Sequence, residues 1–120
     1  MYFEEGKDLG LKENIQSNFL KTVSAYANYH DGKIIFGIKD DKEVIGVSDV
    51  EKGRLSIENA INDNIFPRPT FLLGVERFEE KELIVLKVFK GNHPPYQYKK
   101  KAYQRQDSTT VEVDNISLQL

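Results

Sequence analysis

Apolar and polar positions along this chain change period several times, and each change marks an element. Leu9 to Lys12 reads as a short first strand. From Ile15 onward, Phe19, Val23 and Tyr26, with Leu20 and Ala27 beside them, recur at the spacing that lines one face of a helix. That helix is expected to stop near Tyr29-His30-Asp31-Gly32, where Gly32 can supply a positive φ and Asp31 tolerates a turn. Lys33 to Ile38 is almost entirely apolar, the pattern of a central strand buried on both faces. Asp40-Asp41-Lys42 then reads as a turn into Glu43 to Val47, the second arm of a hairpin.

Asp49 is placed to cap a second helix whose buried face carries Ile57, Ile61 and Ile65 with Ala60 alongside, and Pro67 lies beyond its end. Thr70 to Arg77 and Glu82 to Phe89 are rich in branched and aromatic residues and form a hairpin across the charged tip Glu79-Glu80-Lys81. After Pro94-Pro95, Tyr96 to Tyr98 and Lys101 to Arg105 read as a last pair of short strands, which leaves Ser108 to Leu120 as a tail. Short strands alternating with two helices predict one α+β domain, a mixed β-sheet with two helices packed on it. Strand order is not legible from this pattern.

A length of 120 residues suits one domain with one core. The chain has no cysteine, which fits a cytoplasmic setting, and no apolar run approaches the roughly 18 residues a membrane span needs. The tail alternates Ile116, Leu118 and Leu120, an apolar edge expected to continue into further domains of a longer protein. The net charge of -2 argues against a free-standing nucleic-acid binder, but its distribution is uneven. Leu83 to Gln106 contains no Asp or Glu, yet holds Lys87, Lys90, Lys99, Lys100, Lys101 and Arg105. Between Asp40 and Asp63 the acids dominate, so the molecule is expected to have polar charge faces.

The run Leu20-Lys21-Thr22-Val23-Ser24-Ala25-Tyr26-Ala27-Asn28, the break at Gly32, then Ile34 to Asp41 and Val44-Ile45-Gly46-Val47, is the most distinctive stretch. Together with Glu5 and Leu9-Gly10-Leu11-Lys12 upstream, and Pro67, Pro69, Pro95-Tyr96 and Ala102-Tyr103-Gln104-Arg105 downstream, it resembles the Schlafen-type AlbA-like domain. That family is known as a DNA-binding domain of bacterial transcriptional regulators, formerly described as a divergent AAA-type domain. The resemblance implies a Schlafen AlbA-like fold and a nucleic-acid partner. It also implies where catalysis would sit, because Schlafen proteins that cut RNA use clustered acids whose matching positions here are Glu5, Gly10 and an Asp of the Asp40-Asp41 pair. Metal-assisted cleavage needs several carboxylates converging on the cations, and Gly10 removes one of them. Asp107, where the family often has Gly, adds a negative charge near Arg105.

No Gly-rich loop ends in Gly-Lys-Ser or Gly-Lys-Thr, and His30 and His93 lie in separate turns without ligand spacing. Ser24 lies within a helix and is expected to be structural. No catalytic residue, metal or cofactor is therefore expected. The remaining candidate surface is Tyr96 to Arg105. With a strand's period of two, Lys101, Tyr103 and Arg105 share one face, an arrangement suited to phosphates with an aromatic ring between. The reading is a nucleic-acid-binding module contacting DNA, or less favourably RNA, through Lys99, Lys100, Lys101, Tyr103 and Arg105, with Lys12 contributing from its own strand. Four neutralised phosphates would give a salt slope of roughly -3.6. The rival readings are a protein-interaction or homo-oligomerisation module and a residual metal-dependent nuclease.

Overall fold

The computed structural model describes residues 4–113, so the calls on Ile116, Leu118 and Leu120 lie outside the described residues. In chain order the elements are β1 (Leu9–Lys12), α1 (Phe19–Tyr29), β2 (Gly32–Phe36), α2 (Val50–Asn64) and β3 (Ile65–Phe66). They continue with β4 (Phe71–Phe78), β5 (Lys81–Val88), β6 (Gln97–Tyr98), β7 (Ala102–Gln106) and β8 (Thr109–Val113). The main sheet has the order β1-β2-β5-β4, with β1 parallel to β2 and the other pairs antiparallel. Two-stranded sheets β3-β6 and β7-β8 complete an α+β fold with a mixed sheet and two helices, as expected.

β2 sits between β1 and β5 and is buried on both faces, as its unbroken apolar run requires. Ile34 and Phe36 face the helices and join Phe19, Tyr26, Ile57 and Ile61 in the main core. Ile35 points the other way and packs with Leu11, Ile38 and Leu83.

Helix α1 is buried almost all round, with Phe19, Leu20 and Thr22 to Asn28 inaccessible. A helix this enclosed needs cover on two sides. The sheet supplies one, and the β7-β8 hairpin supplies the other. Ser24 joins them: its hydroxyl donates to the Tyr96 carbonyl at 2.6 Å and accepts from the Tyr103 N–H at 3.2 Å. Asn28 holds both backbone groups of Tyr96, accepting its N–H at 2.6 Å and donating to its carbonyl at 3.0 Å. These buried polar side chains thus satisfy strand-end backbone groups that would otherwise be stranded.

Several expectations are corrected. Ile15 lies ahead of α1, in a segment where Phe19, Leu20 and Lys21 donate to carbonyls three residues back, and it reaches the core from there. Glu43 to Val47 is not a strand; a single bridge, Ile38 to Val44, closes that loop. The left-handed glycines there are Gly37 (φ 109) and Gly46 (φ 77), whereas Gly32 is not left-handed. Gly32 is needed for space, because the Tyr26 ring lies where a β-carbon would be. The Asp49 cap is present, its side chain accepting from the Lys52 N–H at 3.1 Å.

The last segments pair differently from the expected Tyr96–Tyr98 with Lys101–Arg105. β6 pairs with β3 at the exit of α2, and only a bridge links Tyr98 to Lys101. β7 pairs instead with β8, so Thr109–Val113 is strand and not tail.

Candidate nucleic-acid interface

Lys99 and Lys100 form a two-residue turn closed by reciprocal bonds between Tyr98 and Lys101, N–H to carbonyl at 2.8 and 3.0 Å. Both lysines adopt the left-handed conformation, with φ of 51° and 65°. Tight antiparallel connections demand this of their central residues, and Asn-Gly normally supplies it. Both side chains are exposed. The Lys99 ammonium lies 5.3 Å from the centre of the Tyr98 ring. Lys101 is also exposed, and its ammonium stands 3.6 Å from the Glu112 carboxylate across the β7-β8 hairpin, a contact open to water and readily exchanged.

Within β7 Tyr103 and Arg105 share one side, as a period of two requires, but that side turns inward, and only Lys101, just ahead of the strand, stays exposed. Tyr103 is buried, and Arg105 is only 5% exposed. The Arg105 guanidinium donates to the Gly6 carbonyl (3.1 Å), the Leu9 carbonyl (3.2 Å) and the Thr110 hydroxyl (3.2 Å), and lies 3.5 Å from the Glu5 carboxylate. Its planar fork ties the N-terminal segment and β1 to the hairpin. Arg105 is therefore a structural clasp, which corrects its reading as a surface phosphate contact. Tyr103 likewise offers no exposed ring for stacking. Asp107 occupies the exposed β7-β8 turn (φ 52) rather than facing Arg105's partners.

Lys12 belongs with this clasp and not with the lysine turn. It is half-buried, and its charged neighbours are Glu5, Arg105 and Asp40. Burial pushes its ammonium below the usual lysine range; Glu5 counteracts this, Arg105 adds to it, and Asp40 counteracts it more weakly. Sequence reading missed Lys21. This exposed residue on the otherwise enclosed α1 brings its ammonium to 5.9 Å from the centre of the Tyr103 ring. A lone lysine among buried helix positions was the available signal.

These features sit in a chain whose residues 5–114 match the family model described as Schlafen, AlbA_2. The chain belongs to the Schlafen AlbA_2 family. Of the acidic positions that this membership brings into question, Glu5 accepts the Leu11 N–H at 3.1 Å besides facing Arg105. Asp40 is exposed, and Asp41 accepts the Glu43 N–H at 3.0 Å as a turn cap. At Gly10 an added β-carbon would meet Arg105 at 3.6 Å and Ile34 at 3.7 Å, ordinary contact distances. Among the described residues no three His, Cys, Asp or Glu side chains are grouped to hold a metal ion.

Among the solved structures that share the fold of this Schlafen AlbA_2 domain are two from bacteria. The crystal structure of the DIP2311 protein from Corynebacterium diphtheriae matches with a TM-score of 0.70 and 16% identity, over 93% of this chain and 23% of that one. The solution structure of the N-terminal domain of a RecG-related protein from Nitrosomonas europaea matches with a TM-score of 0.65 and 19% identity, over 80% of this chain and 72% of that one. The chain thus spans under a quarter of the DIP2311 protein. No curated protein matches it. Among the described residues, no helix is long and apolar enough to cross a membrane.

Proposed function

We propose that this domain binds nucleic acid, with DNA the expected partner, by contacting phosphates through Lys99, Lys100 and Lys101, as one module of a regulatory protein. The observation that carries this is the exposed run of three lysines on a tight turn, in a segment free of acids from Leu83 to Gln106. Lys21, on the neighbouring helix, lies against the Tyr103 ring and is not counted among the phosphate contacts. Family membership supports the reading, as does a structural neighbour whose name relates it to a DNA helicase.

With Arg105 engaged inside the protein, three lysines remain to neutralise phosphates. The slope of log K against log salt for duplex DNA is then about -2.7, and affinity falls about fortyfold between about 50 and 200 mM salt. The test is a titration of duplex DNA, single-stranded DNA and RNA at both salt concentrations, with wild type and a Lys99→Glu/Lys100→Glu/Lys101→Glu variant. The variant is expected to lose most of the slope. Equal binding by both proteins at low salt would overturn the reading.

One observation favours a second reading, pairing of subunits along a sheet edge. β4 forms the outer edge of the main sheet and exposes Leu72 and Val75, beside a groove that includes Leu55 of α2. Sedimentation of wild type against Leu72→Lys tests it: a dimer that dissociates in the variant supports pairing, and a monomeric wild type rejects it.

A further inference from the structure

Among the described residues the most exposed large apolar side chains, Leu55, Phe66 and Leu72, fall in two places whose surroundings differ in sign. The groove at Leu55 and Leu72 is lined by Glu51, Arg54 and Glu58, and with Arg54 paired to Glu51 at 3.4 Å the Glu58 carboxylate is left to repel a phosphate chain. The other is Phe66. We propose that Phe66 is a base-stacking platform, so that this face binds single-stranded nucleic acid in preference to duplex. The inference rests on the nucleic-acid reading above and specifies its ligand.

The position of Phe66 follows from its neighbours. Ile65 is fully buried and pairs in register with buried Tyr98, which fixes the orientation of β3. Successive strand residues point to opposite faces, so Phe66 and its partner Gln97 are turned outward. The Phe66 ring is 59% exposed. Single exposed apolar residues are ordinary, and the weight lies in what surrounds this one.

Phe66 shares a depression of about 280 Å³ with Asp63, Asn64, Gln97, Lys99 and Lys100. Each amide has one N–H committed locally, Gln97 to the Lys100 carbonyl at 3.2 Å and Asn64 to the Ala60 carbonyl at 2.8 Å. The amide oxygens remain to accept from the edge of a base. The bond from Gln97 also ties the lysine turn to the floor of the depression. An aromatic face, amide acceptors and two flexible cations are the parts that sequence-tolerant single-strand binding uses. The Asp63 carboxylate repels a phosphate and the two ammonium groups attract one, so the backbone runs across Lys99 and Lys100 while a base covers Phe66. In a duplex the base faces are already stacked, and only the lysines engage.

The experiment measures binding of wild type, Phe66→Ala and Phe66→Trp to a short oligothymidylate, an abasic strand of equal length and a duplex, all at low salt. Phe66→Ala is expected to weaken oligothymidylate about tenfold while leaving the abasic strand and the duplex unchanged. Because the ring is exposed, this variant retains the fold, which its thermal midpoint verifies. The chain has no tryptophan, so Phe66→Trp introduces a single indole. Its fluorescence is expected to be quenched by oligothymidylate and not by the abasic strand. If wild type binds in a salt-dependent manner but Phe66→Ala binds oligothymidylate equally well and the indole is not quenched, the stacking role is wrong while the phosphate reading stands. If wild type binds none of the three ligands, both fall.

Discussion

Replacing Lys99-Lys100 by Asn-Gly is expected to make the domain more stable and a weaker binder at once. Both lysines are left-handed, at φ 51° and 65°, in a turn locked by two backbone hydrogen bonds. A residue with a β-carbon pays roughly 1–2 kcal/mol in that conformation, and asparagine and glycine relieve much of it. Glycine returns about 0.5–1 kcal/mol through its greater freedom in the unfolded chain. The net gain is about 1 kcal/mol, or about 4 °C in the thermal midpoint for a domain of this size. Each lysine removed takes about 0.9 from the salt slope, reducing it from about -2.7 to about -0.9. The β4-β5 turn offers an internal control, because Glu79 and Glu80 hold the same conformation at φ 48° and 70°. Asn-Gly there should bring a similar stability gain and leave the salt slope unchanged. Chemical denaturation and DNA titration of both variants supply the measurements. A Lys99-Lys100 variant no more stable than wild type refutes the strain argument, and one that keeps the full salt slope refutes the contact.

Arg105→Ala strands the Glu5 carboxylate and three acceptors, and should cost about 3 kcal/mol in urea unfolding. Arg105→Lys should recover little, since one ammonium cannot reach acceptors arranged for a fork. Tyr26 sits in the core, where burial dominates and pushes its hydroxyl up to about 12, with Arg105 opposing and Asp8 and Glu5 reinforcing the rise. The unfolded chain ionises this tyrosine from about pH 10 and the folded chain resists until about pH 12, so the stability present below pH 10 is lost between those values. The loss is of order 2–3 kcal/mol, and pH-dependent unfolding of Tyr26→Phe should lack it. Labelled RNA and DNA should remain intact with magnesium or manganese, because Gly10 supplies no ligand and Glu5 faces Arg105; cleavage abolished by Glu5→Gln would show otherwise.

Periodicity alone determined much of this domain. The apolar repeat of α1, the unbroken run of β2, the Asp49 cap and the β4-β5 hairpin are local patterns, each set by residues close in sequence. The two-residue strands β3 and β6 are too short to show a period, and their pairing joins segments brought together only by the packing of α2. Phe66 consequently went unnoticed as a surface ring.

The β7 strand shows the boundary most clearly. Its alternation correctly put Tyr103 and Arg105 on one side, because strand geometry fixes which residues face alike. Which side meets water depends on what covers the strand. Here α1 and the N-terminal segment cover Tyr103 and Arg105, and the pairing of β8 with β7 supplies Thr110 to the guanidinium. An arginine reads the same in sequence whether its fork meets phosphates or backbone carbonyls. Only the tertiary structure brought Gly6, Leu9 and Thr110 within its reach, and so assigned its charge to the interior and left the lysine turn to the solvent.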